Sequence, residues 1–171
     1  MSSSRIADKE LWKDDLPKIV VCGLRRSGKS SLLRVLFSKL SPHEASYIEA
    51  TSAPTFLPMS ANPLLNVRIA EIPGSWQWEE SAEMDELFFA KCQSLILVID
   101  SSSEDVPSAV FSLSKRVINR AVTQNSAVHV HVFLHKVDAN YKFDPDSVQA
   151  ESNKAQYMQN VTAKINHDLK Q

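Results

Sequence analysis

Glycine is almost missing from this chain. Only three stand in 171 residues, where average usage of roughly 7% would place about a dozen. Backbone that must approach a ligand closely or take φ > 0 is therefore confined to very few places. Cysteine is as scarce. Cys22 and Cys92 each sit in or beside an apolar segment, which excludes a disulfide framework and reads as two small buried side chains in a reducing compartment. The five histidines are scattered, and only His129 and His131 are close, so no Cys/His metal cluster is formed. No apolar run is long enough to span a bilayer. The opening MSSSRIADKELWKDD is polar, without the apolar stretch of a signal peptide, a myristoylation glycine after Met1, or a prenylation cysteine to match it at the other end. The expectation is a cytoplasmic protein with no direct membrane insertion. A net charge of −1 removes bulk attraction to nucleic acid.

What is present is ordinary for a soluble domain: 43% apolar and 23% charged residues, in a length that fits one core. Residues 1–15 read as a mobile lead-in and 16–171 as the domain. Pro17–Cys22 is a short β-branched run, hence a buried strand. Ser30–Leu40 carries an apolar helical face of Leu32, Leu33, Leu36, Phe37 and Leu40, stopped by Pro42. Ser41–Asn66 has no clear helical period, and its prolines allow at most an edge strand. Val67–Ile72 is a second strand. Glu79–Lys91 is a helix with Met84, Leu87 and Phe88 inward. Ser94–Ile99 is a central parallel strand. Val110–Val122 is a helix, Val128–Leu134 a strand, and Val148–Leu169 a helix. Alternating strands and helices predict an α/β fold with a mostly parallel sheet.

All three glycines lie in motifs that handle phosphate. GLRRSGKSS fits G-x-x-x-x-G-K-[ST], after a strand and before a helix, the context this motif needs. Gly23 opens the loop and Gly28 lets backbone N–H groups face phosphate oxygens. Arg26, Ser27 and Ser31 complete the phosphate-binding set. Lys29 is placed to reach the β- and γ-phosphates, and Ser30 to ligate Mg²⁺. EIPG follows the strand Val67–Ile72. Its acid, Glu71, stands where Mg²⁺ is held in phosphate-loop NTPases, and Gly74 can give its N–H to the γ-phosphate. Aspartate is usual at that place, and glutamate carries the carboxylate about one carbon–carbon bond further out. HKVD follows Val128–Leu134 at the ligand-binding edge of the sheet. It is similar to the guanine-reading N-K-x-D, with His135 for asparagine. Lys136 would lay its stem over the nucleotide, and Asp138 would accept from both the ring N–H and the exocyclic amine of guanine, a pairing adenine cannot make.

Together GLRRSGKSS, LFSKLSPHEASYIEAT, EIPG and FLHKVD resemble the Rag GTPases, in particular the RagC/RagD-like branch. The resemblance covers about Lys18 to Lys170. It implies a Ras-like, three-layer phosphate-loop fold with helices on both faces of the sheet. It implies a GTP/GDP switch using Mg²⁺, which relays amino-acid sufficiency to the TOR kinase complex at the lysosome or vacuole surface. The implied partners are a RagA-like chain and the lysosomal scaffold complex. Thr51 matches the switch I threonine that senses Mg²⁺ and γ-phosphate, with Ser52 and Thr55 nearby.

Three departures bear on activity. Ser75 stands where the family has the water-orienting glutamine, so it is a poor catalytic residue and slow or absent hydrolysis is expected. Glu71 replaces aspartate. The chain is expected to end before the last strand and helix of the domain, and before the family's roadblock-type dimerisation domain. The run Val161-Thr162-Ala163-Lys164 is similar to the loop that backs guanine, but it lies inside a helical repeat and reads as a decoy. Two other readings stand beside the switch: a non-hydrolysing pseudo-GTPase scaffold, and a phosphate-loop kinase, which needs an arginine-bearing lid, whereas Arg25 and Arg26 belong to the loop signature and Arg116 and Arg120 sit at i, i+4 on a helix as a solvated face. Trp76 and Trp78, beside the second switch segment, are either partner-facing or packed beneath its helix.

Overall fold

The computed structural model describes residues 12–13, 15–57, 67–78, 82–102, 106–137 and 148–168. The apolar runs become strands β1 (Lys18–Gly23), β3 (Arg68–Glu71), β4 (Cys92–Asp100) and β5 (His129–His135), with a two-residue β2 (Thr55–Phe56). The helices are α1 (Lys29–Ser38), α2 (Pro42–Ala45), α3 (Ala82–Phe89), α4 (Val106–Gln124) and α5 (Ala150–Asp168). The sheet runs β2-β3-β1-β4-β5. β1 is parallel to both β3 and β4, β4 is parallel to β5, and only the edge strand β2 is antiparallel.

The order reverses at β1, which lies between β3 and β4. In open α/β sheets the crevice beyond such a reversal is where ligands bind. Gly23 ends β1, Glu71 ends β3, Asp100 ends β4 and His135 ends β5, so the four lie along one edge. Both sheet faces are covered. On one, Val20, Cys22, Ala70, Leu95 and Leu97 meet Leu87, Phe88 and Phe89 of α3 and Val117, Ile118 and Ala121 of α4. On the other, Val21, Ile69 and Val98 meet Leu32, Leu33 and Phe37 of α1. Val161 of α5 closes a smaller cluster with Ile99, Val132 and Leu134. The V-T-A-K run lies inside α5, as its apolar repeat implies. Both cysteines are free and buried. Burial raises each thiol, that of Cys92 to about 12.

Three details depart from the sequence reading. Leu36 is 58% exposed, and α1 ends at Ser38, before Leu40, because Lys39 turns into the left-handed region at φ 56°. The stretch after Pro42 holds the short α2, closed by a capping box in which Ser41 and Glu44 exchange hydrogen bonds. The reading of 1–15 as mobile fails at Trp12, which is 1% exposed and belongs to the main core. Its ring lies 4.3 Å from that of Phe56 and 4.9 Å from that of Phe88, more apolar area than a polar lead-in would bury. Residues 1–11 and 14 lie outside the described chain.

Candidate phosphate and metal site

The loop between β1 and α1 is a cradle of backbone donors, of which the Ser27 N–H is taken by the Leu24 carbonyl at 3.3 Å. Arg26 and Gly28 take φ of 65° and 90°, which turns successive N–H groups inward. Gly28 is the N-cap of α1, with no side-chain cap bond and no acid in the first turn. The unpaired amides and partial positive charge of the helix end are therefore open to an anion. Lys29 is only 5% exposed. Its Nζ donates to the carbonyls of Gly23 at 3.0 Å and Leu24 at 2.8 Å. Burial lowers the ammonium pKa below its ordinary value, against an opposing pull from Glu71. Among the described residues the oxygens that hold this charged group are neutral. Ser27 Oγ is buried with no hydrogen-bond partner, and Ser31 Oγ ties α1 to the carbonyl of Ala45 at 2.9 Å.

Two glycines are explained by what lies against them. A Cβ on Gly28 would stand 2.3 Å from Nδ1 of His135, and one on Gly74 would stand 2.2 Å from the backbone nitrogen of Arg25. Both contacts are far inside van der Waals range, so the base-side motif and the EIPG segment press directly on the phosphate loop.

Three oxygens meet at the mouth of the loop. Ser30 Oγ donates to Glu71 Oε1 at 2.5 Å, Thr51 Oγ1 donates to the same oxygen at 3.2 Å, and the two hydroxyls are 2.9 Å apart. Glu71 is 5% exposed. Of the neighbouring hydroxyl residues Thr51, Ser52 and Thr55, Thr51 is the one in this cluster. Among the described residues no group of three or more His, Cys, Asp or Glu side chains converges. The donor set is one carboxylate with two hydroxyls, hard oxygen ligands that suit Mg²⁺ completed by phosphate oxygens and water.

On the base side, His135 Nδ1 lies 3.0 Å from the carbonyl of Ser27, so this ring braces the loop. Lys136, at φ 57°, donates from Nζ to the carbonyl of Arg26 at 2.7 Å and to Asp100 Oδ2 at 2.6 Å. Burial alone would raise the Asp100 carboxyl. Hydrogen bonds from Lys136 and Ser102 outweigh it and hold the pKa below the usual value. Asp100 was missed from sequence. Its signal was an acid closing an apolar strand at the ligand edge. Asp138 lies outside the described residues.

A cavity of about 540 Å³ opens between these groups, inside the range that holds cofactor-sized ligands. Lys29, Ser30, Thr51, Glu71, Gly74 and Lys136 line it, with Arg25, Arg26 and Ser75. Ser75 and Gln77 are exposed. Trp76 and Trp78 are half-buried against α3, at 5.7 and 6.1 Å from the Phe88 ring, and Trp78 stacks on Phe89 at 5.9 Å. Of the two readings open for them, packing beneath the helix describes both.

The sheet order and the phosphate loop after β1 define a small-GTPase-like α/β fold. Solved structures agree. An ADP-ribosylation-factor-like GTP-binding protein (the small COPII coat GTPase SAR1) from Encephalitozoon cuniculi superposes with a TM-score of 0.51 at 13% identity, over 92% of this chain and 64% of that one. The signal recognition particle receptor SRb from Chaetomium thermophilum gives 0.53 at 15%, over 73% and 71%. The chain belongs to the Gtr1/RagA G protein family, whose conserved region matches residues 18–171. It is 37% identical to mouse Ras-related GTP-binding protein D over 122 residues, 35% identical to human Ras-related GTP-binding protein C over 122, and 32% identical to GTP-binding protein GTR2 of Saccharomyces cerevisiae over 125. These matches take in 71%, 71% and 73% of this chain, but only 27%, 30% and 36% of the relatives' own lengths. Among the described residues no helix is long and apolar enough to cross a membrane.

Proposed function

We propose that this chain binds GTP and GDP with Mg²⁺ as the nucleotide-holding part of a Rag-type switch. The observation that carries this is the meeting of Ser30, Thr51 and Glu71 beside the buried, carbonyl-bound Lys29. In this reading Lys29 exchanges the Gly23 and Leu24 carbonyls for phosphate oxygens. Ser30, Thr51 and Glu71 hold Mg²⁺, which neutralises phosphate charge when bound. The Gly74 N–H faces the γ-phosphate. His135 keeps the loop in shape, Lys136 lies along the base, and Asp138 reads guanine. Equilibrium titration with fluorescent GDP and a non-hydrolysable GTP analogue, competed by ATP, tests it. Saturable binding that ATP does not displace is expected; no binding, or displacement by ATP, would refute it. Glu71→Gln keeps the hydrogen-bonding shape but loses the charge. It should raise the Mg²⁺ concentration needed to retain nucleotide by about tenfold or more. An unchanged midpoint would make Glu71 an ordinary strand-end acid.

Turnover is slow in this reading. Ser75 lies at the cavity mouth, and its side chain is too short to orient water as glutamine does. That observation also favours a second reading, a subunit that holds nucleotide without hydrolysing it. Ser75→Gln should speed single-turnover hydrolysis by about tenfold or more. Equal, fast rates in both proteins would sink the idea. The family resemblance supports the wider role: a cytoplasmic protein brought to the lysosome or vacuole surface by a RagA-like partner and a scaffold complex, relaying amino-acid sufficiency to the TOR kinase complex. Partner capture from starved and amino-acid-fed cells checks it, with fed-state enrichment of TOR components the expected outcome.

A further inference from the structure

We infer that Trp12 is a nucleotide-sensitive latch, docked on the aromatic groove of Phe56 and Phe88 and loosened when a triphosphate enters the site; this rests on the nucleotide-binding reading above. The geometry joins Trp12 to two segments beside the cavity. Phe56 lies in β2, where its neighbour Thr55 pairs with Glu71, the carboxylate that also accepts from Thr51. Phe88 touches Trp76 edge-on at 5.7 Å, and Trp76 is two residues beyond Gly74. Gly74 in turn leaves no room for a Cβ against the Arg25 backbone, and both residues line the cavity. In this proposal a γ-phosphate entering the cavity moves the segment after Gly74, and the ring contacts Trp76–Phe88 and Phe88–Trp12 pass that movement to Trp12.

The docking is also built to be reversible. Trp12 Nε1 is buried with no hydrogen-bond partner, which weakens the docked state. A cavity of about 420 Å³, lined by Trp12, Lys18 and Leu87, lies beside the Trp12 segment. Lys18 Nζ donates to the Trp12 carbonyl and, at 3.4 Å, to that of Leu87, a tie that survives small movements of the ring. β2 is only two residues long, too short to resist displacement by its own ladder.

Linkage makes the coupling reciprocal: if a triphosphate loosens Trp12, removing Trp12 favours the triphosphate. Trp12→Ala should raise the ratio of GTP-analogue to GDP affinity by about fivefold or more, while Trp12→Phe, which keeps a ring in the groove, should stay near the unaltered ratio. A merely structural tryptophan would change both affinities together and leave the ratio alone. The unmutated chain gives a second readout that does not depend on the variants folding. With 5-fluorotryptophan incorporated, the Trp12 fluorine resonance should differ between the GDP and GTP-analogue complexes. A ratio and a resonance that both stay constant, in a protein that binds both nucleotides, overturn the latch alone. Failure to bind either nucleotide overturns the function reading and the latch with it.

Discussion

Replacing Lys29 by methionine is expected to weaken both GDP and GTP binding by about 10²–10⁴-fold while making the ligand-free protein more heat-stable. The first half follows from the loss of about two charge-assisted hydrogen bonds to phosphate, each worth roughly 1.5–3 kcal/mol. The second half follows from burial. Lys29 is 5% exposed, and among the described residues its ammonium has the Gly23 and Leu24 carbonyls for direct partners. Its folded pKa is lowered, with burial the leading cause. For a base with a depressed folded pKa, the unfolded chain binds more protons between the folded value and the ordinary one, so stability rises with pH across that window. The penalty is therefore in full force below the folded pKa, and methionine removes it with little change in stem length. Nucleotide phosphate would restore the ammonium, so affinity should fall as pH rises through the lowered Lys29 pKa. That slope should vanish in Lys29→Met. Thermal denaturation with and without nucleotide, and binding titrations across alkaline pH, check each half separately. A ligand-free variant less stable than the parent would refute the account of a site strained for binding.

Much of this site was legible because its residues are constrained locally. The loop between β1 and α1 needs glycine where a Cβ would strike His135, and lysine and serine at the start of the following helix. Such requirements leave a fixed spacing in the sequence. β-branched runs marked β1 and β4 for the same reason, since a doubly covered parallel strand admits little else. The misses were of a different kind. Trp12 stands among polar neighbours, and nothing local says that its ring reaches Phe56, 44 positions on. Asp100 becomes informative only when β4 and β5 pair and bring Lys136 to 2.6 Å. His135 also meets the Ser27 carbonyl, a loop-bracing contact visible only in three dimensions. The capping box at Ser41–Glu44 is local, but it stands in a proline-bearing stretch whose helix is only four residues long, too short to leave a helical period.

Phe88→Ala should cost about 3–5 kcal/mol of stability and lower the melting temperature by about 6–20 °C for a domain of this size. Phe88 is fully buried and is the hub of the aromatic cluster. Its ring lies 4.9 Å from Trp12, 5.7 Å from Trp76, 6.1 Å from Trp78 and 6.2 Å from Phe89. No single neighbour can collapse into the space it leaves, because each is held by further contacts: Trp12 by Phe56, Trp78 by the stack on Phe89. The cavity therefore stays open, and the upper part of the range applies. Trp78→Ala should cost less, since Trp78 is only half-buried and touches Phe88 from the rim. The loss at Phe88 should also reach the site, because the cluster is what holds α3 and the segment after Gly74 against the sheet. Combining Phe88→Ala with Trp12→Ala should therefore cost clearly less than the two single losses added together, since the first substitution already removes one side of the Trp12 groove. Full additivity in a denaturant series would mean that the two rings stabilise the fold independently, and that the cluster is not one cooperative unit.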